Sequence, residues 1–465
     1  MKEISCKLLV IGAGPGGYTC AIRAGQLGID TVVVEAKKPG GTCLNVGCIP
    51  SKALIHVAEE FEKVVQMTAG ENPLGISTRK PELDLSKTMA WKDGIVGRLN
   101  SGVSGLLKKA GVKVVEGWAR FRDGKTAEVE TELGLQVIRA EQIVIATGSE
   151  AVELPSLPFG GPVISSTEAL ALTEVPSKLV VVGAGYIGLE LGTAFAKMGA
   201  AVTVVEAQAR DSPSIRRRAD AAGREAPARP RHRGADRRQG ERARFQRRCP
   251  LRRGSGWPGH DARRRQDPRY GRPQAGDRGL GLGAIDLDMD GRFLRIDDNC
   301  RTSMRGVYAI GDVTGEPMLA HRATAQGEMV AEIIAGRKRA WDKVCIPAVC
   351  FTDPEIVTAG LSPEDAKAMG FEIKTGLCPF QANGRAMTLG KEAGFIRVVA
   401  RADNHLLLGI QGVGAGIAEL SAGFSLALEM GARLEDVAAT IHAHPTQSEG
   451  LLEAALKALG HPIHI

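Results

Sequence analysis

Two stretches of this chain, KLLVIGAGPGGYTCAIRAGQLGIDTVVVEA from Lys7 and KLVVVGAGYIGLELGTAFAKMGAAVTVVEA from Lys178, align without a gap and share 12 of 30 positions. Each reads as an apolar strand, a Gly-x-Gly-x-x-Gly turn, a helix with small residues on one face, and a second apolar strand ending in Glu. Gly12 and Gly183 allow the tight turn, Gly14 and Gly185 let backbone N–H groups approach a pyrophosphate, and Gly17 and Gly188 let the helix pack closely on the strand. The helix N-terminus then turns the positive end of its dipole toward the phosphates. Glu35 and Glu206 stand at the same offset in the two copies. A carboxylate there accepts from a ribose 2′-hydroxyl and repels a 2′-phosphate. One such turn alone is a weak signal. Two copies, each between strand and helix and each followed by an acid, predict an α/β chain with two dinucleotide sites.

Between the first unit and the next helical pattern lies GGTCLNVGCIPSK, with Cys43 and Cys48 five positions apart. The spacing by itself is compatible with a metal half-site, a redox pair or coincidence. A metal would want more ligands nearby, and the nearest candidate, His56, lies on the following helix. Nine cysteines in 465 residues are no disulfide scaffold, so a functional disulfide here is expected to be catalytic. SKALIHVAEEFEKV has apolar residues at helical spacing with Pro50 and Ser51 at its start, and a thiolate near a helix N-terminus is stabilised by the dipole. Two dinucleotides beside a thiol pair suggest FAD plus NAD, since a flavin relays between hydride and thiol chemistry. IVIATGS, which contains Thr147 and Gly148, and VYAIGDV each read as a buried strand ending in a small-residue turn, where a doubly wound sheet places its ligands. Asp312 in the second run would hydrogen-bond a cofactor sugar or cap the next helix.

The formal net charge of +7 invites a nucleic-acid reading until its location is considered. Residues 211–280 hold 21 Arg and no Lys against six Asp and two Glu, so the rest of the chain is net acidic. This segment shows no period of 2 or 3.6 and cannot build a core as written. An Arg, Ala, Pro and Gly bias is what a GC-rich gene yields out of frame. With suitably chosen codons, residues 211–223 shifted by one base read ILPAYDAELTRP, an amphipathic helix entry. The segment is read as frameshifted or disordered rather than as a genuine basic arm. The first apolar strand begins within ten residues of Met1, which leaves no room for a targeting segment, and no run suits a membrane span. A cytoplasmic location is expected.

The motifs GAGPGG, GGTCLNVGCIPSKAL, ATGS, GAGYIGLELG, YAIGDV, MLAHRA, FTDPE and HAHPTQSE occur in the order found in the pyridine nucleotide–disulfide oxidoreductases. The chain resembles that family, and within it the dihydrolipoyl dehydrogenases of 2-oxoacid dehydrogenase complexes, everywhere except 211–279. IHVAEEF and NGRAM most resemble the bacterial branched-chain form. The resemblance implies two Rossmann-like doubly wound domains plus a C-terminal α+β dimerisation domain. The implied boundaries are 1–149 for FAD, 150–278 for NAD, 279–345 for a central domain completing the FAD site, and 346–465 for the interface.

It further implies that Cys43 is the interchange thiol and Cys48 the thiol nearer the flavin, and that Thr42 and Lys52 lie at the flavin. Lys52 is expected to pair with Glu190, and otherwise would be a snorkelling surface residue. Asp312 contacts the ribityl chain, with Ala320 and His321 in a flavin-facing turn. HAHPTQSE offers His442, His444 and Glu449. By resemblance His444 is the base, reaching the cysteines of the other subunit, with Glu449 orienting its imidazole. The expected partners are a second copy of the chain and a lipoyl-bearing acyltransferase. No metal is expected.

Rival readings stay distinguishable. Glutathione reductase shares the cysteine pair but favours NADPH, with basic residues where Glu206 sits. Mercuric reductase and the large thioredoxin reductases add a C-terminal cysteine pair, whereas here the last cysteine is Cys378. A flavoprotein with a nucleic-acid-binding arm would use the Arg-rich segment nonspecifically, with a steep salt dependence.

Overall fold

The computed structural model describes residues 2–68, 72–206, 274–275 and 279–465. The expectation of a frameshifted or disordered stretch falls mostly on 211–273, outside the described residues.

The first apolar run becomes β1 (Lys2–Ile11), followed by α1 (Pro15–Gln26) and β2 (Thr31–Glu35). Further along come β3 (Lys113–Glu116), β4 (Trp118–Asp123), β5 (Thr126–Thr131) and β6 (Gly134–Ile145). They form one sheet in the order β3-β2-β1-β6-β5-β4. β1 is parallel to both β2 and β6, while β4, β5 and β6 form an antiparallel meander. A parallel interior strand is covered on both faces and therefore carries apolar residues without alternation. Leu8, Leu9 and Val10 are all fully buried, as that rule requires.

Leu8, Val10 and Val33 face α1, α4 (Leu85–Lys109) and α6 (Ala320–Ile334), where Ala24, Leu107 and Val330 fill the contact. Leu9, Ile11 and Val34 face Phe121, Ile138, Leu280 and Leu294. α1 and α6 cross at glycines: a Cβ on Gly327 would lie 2.3 Å from the Gly16 carbonyl oxygen. The run VYAIGDV supplies β9 (Val307–Ala309), parallel to the last residues of β6.

The second copy forms β7 (Lys178–Val182), α5 (Tyr186–Lys197) and β8 (Ala201–Val205), with the two strands parallel. α5 buries Leu191, Ala194 and Phe195 against Leu54, Ala58 and Met89. The described part of the C-terminal region is a five-stranded antiparallel sheet covered by helices. Its strands are β10 (Ala348–Cys350), β11 (Glu355–Gly360), β12 (Ile373–Pro379), β13 (Phe395–Arg401) and β14 (Leu407–Gly414), and β12 packs against α7 (Glu449–Leu459) so closely that a Cβ on Gly376 would meet the Ala454 carbonyl oxygen at 1.9 Å. Among the described residues no helix is long and apolar enough to cross a membrane.

Candidate active site

The dinucleotide turn and the cysteine segment are built against each other. Gly12, at φ +96, lets the chain leave β1 and pass the end of β6, where a Cβ would sit 2.4 Å from the Ala146 carbonyl oxygen. Gly17 approaches the same turn, since its Cβ would lie 1.9 Å from the Gly12 carbonyl oxygen. Glu35 closes the loop: Oε2 accepts from the Ala13 amide at 2.7 Å and Oε1 from the Lys37 amide at 2.9 Å. The Gly40 amide donates to the Ala13 carbonyl at 2.7 Å, and Gly41, at φ +58, comes so near Gly14 that a Cβ would be 2.6 Å from its Cα. The thiols therefore follow the turn because the chain passes directly from one to the other.

Two helices position the sulfurs. Thr42 and Cys43 lie on a short helix, α2 (Gly41–Val46), and Cys48 is the first residue of α3 (Cys48–Met67). The helix thus begins two residues before Pro50. Both cysteines are free thiols, Cys43 half-buried and Cys48 exposed. The Cys48 thiol is held down to about 7, chiefly by the hydrogen bond that Cys43 donates, opposed by partial desolvation of the sulfur and helped by the Lys52 charge. Cys43, as the donor to Cys48, is pushed strongly upward, and burial adds to this. The helix start and Lys52 one turn away favour the charge on Cys48, with Cys43 as its protonated partner.

Lys52 lies one turn beyond Cys48 on α3. Its Nζ donates to Glu190 Oε2 at 2.8 Å and sits 4.6 Å from the centroid of the Phe351 ring. Glu190 is buried on α5, and its other oxygen accepts from the Phe351 amide at 2.9 Å. A buried carboxylate needs such partners, because an unpaired one costs several kcal/mol. Farther along α5, Lys197 pairs with Asp353 at 2.6 Å and Glu62 at 3.3 Å. Phe351 joins the site without a signal of its own in the sequence, where FTDPE marks only its neighbourhood.

At the end of β6, Thr147 Oγ1 is buried with no hydrogen-bond partner, and Gly148 turns the chain at φ +72. Asp312 accepts from Ser149 at 2.6 Å, and burial pushes its carboxyl above the ordinary range despite that bond and the Arg322 charge. Ala320 opens α6, whose N-cap Leu319 offers no side-chain acceptor, and His321 Nε2 contacts the Pro347 carbonyl oxygen at 2.8 Å. An uncapped α1 beside Gly14, an orphaned Thr147 hydroxyl, Glu35 and Asp312 suit a dinucleotide carrying phosphates at one end and a polyol at the other.

In the C-terminal region His444 Nδ1 meets Glu449 Oε1 at 2.8 Å, and Glu449 Oε2 accepts from the Thr446 amide at 2.8 Å. Burial would raise the Glu449 carboxyl. Hydrogen bonds from His444 and Thr446 and the charges of His444 and His464 outweigh it, leaving the group below its ordinary range. His442 Nε2 is buried without a partner. Among the described residues no hydrogen bond joins His444 or Glu449 to Cys43 or Cys48 within one chain. In the second unit, Gly183 and Gly185 form the turn, and the Ala184 amide donates to Glu206 Oε2 at 2.8 Å. Gly188 closes onto it, since a Cβ there would lie 2.6 Å from the Gly183 carbonyl oxygen.

Residues 6–226 and 275–327 match the family described as pyridine nucleotide-disulphide oxidoreductase, and residues 346–455 match its dimerisation domain. The chain belongs to the pyridine nucleotide-disulphide oxidoreductases. The break in that match, between 226 and 275, lies inside the Arg-rich segment. Among curated members of the family, the dihydrolipoyl dehydrogenase of Pseudomonas aeruginosa is 55% identical, with 99% of each chain covered. That of Geobacillus stearothermophilus is 39% identical over 99% of this chain and 98% of its own. Among solved members of the fold, LpdA of Mycobacterium tuberculosis superposes with a TM-score of 0.80 at 24% identity, covering 97% of this chain and 99% of its own. The flavoprotein disulfide reductase RclA of Escherichia coli reaches 0.75 at 22% identity, covering 97% and 99%.

Proposed function

We infer that the chain acts as a dihydrolipoyl dehydrogenase, oxidising a dihydrolipoyl dithiol and passing the electron pair to NAD. The observation that carries this is the placement of Cys43 and Cys48 on two consecutive helices that follow the dinucleotide turn, with Cys48 opening α3 one turn before Lys52 and its buried partner Glu190. The 55% identity to a dihydrolipoyl dehydrogenase supports the choice of substrate.

In the oxidised enzyme Cys43 and Cys48 share a disulfide. His444, held through Nδ1 by Glu449, accepts a proton at Nε2 from the dithiol. The resulting thiolate attacks Cys43 Sγ, a mixed disulfide forms, and Cys48 leaves as a thiolate that the helix start and Lys52 stabilise. The second substrate thiol attacks its neighbour's sulfur and displaces Cys43, which takes up the proton that thiol releases, so that Cys43 ends as a thiol, Cys48 as a thiolate and His444 protonated. The lipoyl group leaves oxidised and the enzyme keeps both electrons as a dithiol. FAD, when bound, supplies the two-electron path from that dithiol to NAD. Gly12, Gly14, Gly17, Glu35, Thr42, Thr147, Gly148, Asp312 and Ala320 would hold it, and Gly183, Gly185, Gly188 and Glu206 would hold NAD. The base of one subunit serves the cysteines of the other, so the homodimer is the active unit.

The substrate is the lipoyl group carried by the acyltransferase of a cytoplasmic 2-oxoacid dehydrogenase complex. The runs IHVAEEF and NGRAM favour the branched-chain complex. The test is NADH production from dihydrolipoamide by the wild type and by Cys48→Ser. Turnover by the wild type and its loss in a variant that keeps its flavin is the expected result. Undiminished turnover in the variant would overturn the assignment.

A further inference from the structure

A short stretch of the C-terminal region reaches into the seam between α3, the helix that Cys48 opens, and α5, the helix of the second dinucleotide unit. Phe351 enters the seam directly after the last residue of β10. Its amide donates to Glu190 Oε1 on α5 at 2.9 Å, and its ring centroid lies 4.6 Å from Lys52 Nζ on α3. Two residues later Asp353 takes Lys197 of α5 at 2.6 Å, while Glu62 of α3 faces the same ammonium at 3.3 Å. Lys391 brings a second cation to Asp353 at 3.5 Å. Residues 351–353 are thus fastened to the seam at two points, and Phe351 cannot leave Lys52 without breaking them.

A lysine ammonium is a compact charge on a flexible four-carbon stem with three rotatable donors. Glu190, with a side chain 3% exposed, accepts from Lys52 at 2.8 Å. That bond alone leaves Lys52, whose side chain is 32% exposed, free to pivot about it toward solvent. The Phe351 ring attracts the ammonium to its face and closes one side of that arc. The direction in which Lys52 is held matters to the chemistry. Helical side chains lean toward the N-terminus, and Cys48 stands four residues before Lys52 on the same face of α3.

We propose that Phe351 is a positioning residue for the thiol chemistry: its ring and amide hold Lys52 and Glu190 in one arrangement, which keeps the ammonium beside the Cys48 sulfur as that sulfur leaves as a thiolate. The inference rests on the reading of Cys48 as the leaving thiol. The titratable groups around Cys48 are Cys43 on α2, Lys52 on α3 and Glu190 on α5, with Tyr18 of α1 near Cys43 and, in the dimer, the base of the second subunit. Among those of its own subunit only Lys52 is a cation, so its placement governs how far the thiolate is favoured.

The test follows alkylation of Cys48 by iodoacetamide against pH in the reduced, flavin-bearing protein, mapped by peptide, for the wild type, Phe351→Leu, Phe351→Tyr and Lys52→Gln. Flavin content and Tm are measured for each. Phe351→Leu keeps the amide and removes the ring, so its labelling midpoint is expected to move to higher pH, with labelling about threefold slower below that midpoint. Phe351→Met, also without a ring, gives the same reading where leucine leaves the seam too loosely filled to fold. Phe351→Tyr restores a ring and is expected to follow the wild type. Lys52→Gln removes the charge itself and is expected to shift the midpoint furthest. Coincident profiles for the wild type and the ringless variants, or a Phe351→Tyr profile shifted as far as theirs, would overturn the proposal. A wild type that labels as expected yet does not turn over dihydrolipoamide would overturn the substrate reading instead, with the role of Phe351 still judged from the labelling.

Discussion

The two dinucleotide-binding units are alike in their turns and unlike in their surroundings. Gly12 and Gly183 have nearly the same φ, +96 and +99, and Glu35 and Glu206 accept from the corresponding amides of Ala13 and Ala184 at 2.7 Å and 2.8 Å. In the first unit the strands lie inside a seven-stranded sheet, and Leu8, Leu9 and Val10 are fully buried. In the second the described strands pair with each other in a sheet of two, and Val180, Val182 and Val205 are 60%, 51% and 50% exposed. A thirty-residue pattern therefore determines its own turn, helix and hydrogen bonds, whereas burial comes from strands supplied elsewhere in the chain. The first unit receives β3 and β6. The residues that would extend the second fall on the Arg-rich segment, where the family match also breaks.

The sharpest way to break the comparison is to place the same methyl in both turns. At φ near +100 a Cβ costs roughly 1–3 kcal/mol in either unit. Gly12→Ala also drives Cβ into the Ala146 carbonyl oxygen at 2.4 Å, whereas Gly183 has no described atom within 4 Å. Gly12→Ala is expected to lose bound flavin and several degrees of Tm, and Gly183→Ala to keep its flavin with a smaller drop. Flavin absorbance per chain and a thermal melt decide it, and equal losses would mean that embedding does not matter.

Next in size is the link between the units. Lys52→Met leaves Glu190 buried with only the Phe351 amide, and a destabilisation of about 3 kcal/mol is expected. Lys52→Arg should recover part of it. Denaturant unfolding of the three proteins measures the difference.

A smaller effect concerns the thiols beside the first unit. Because the Cys48 thiol is lowered to about 7, its thiolate predominates above that pH and is lost below it. Iodoacetamide labelling of the reduced protein, mapped by peptide, should rise through about pH 7 at Cys48. A rise near the ordinary thiol value of about 8.5 would contradict the hydrogen bond from Cys43. Least, Glu206→Gln removes a charge that repels a 2′-phosphate, so the preference for NAD over NADP should fall by about tenfold, read from kcat/KM with each.

The local geometry was legible in the sequence because it is made by near neighbours. The glycine turns, Glu35, Glu206 and the strand ends at Ile145 and Ala309 stand where the spacing placed them. Lys52 with Glu190 and His444 with Glu449 came from family resemblance, and the side chains do meet. Phe351 beneath Lys52 could not be read, since residues 52 and 351 meet only through tertiary packing. The short helix carrying Cys43 was hidden by its glycines, whose positive φ at Gly40 and Gly41 starts a helix that propensity alone disfavours. The pairing of Glu453 with His464 was equally hidden, because nothing in HPIHI signals that the segment folds back.

The most direct test of the account mixes the purified flavin-bearing protein anaerobically with dihydrolipoamide and then with NAD. The account predicts that dihydrolipoamide bleaches the flavin band, that NAD restores it with formation of NADH, and that Cys48→Ser shows no bleaching. A flavin reduced by dihydrolipoamide equally well without Cys48, or left unchanged in the wild type, would contradict it.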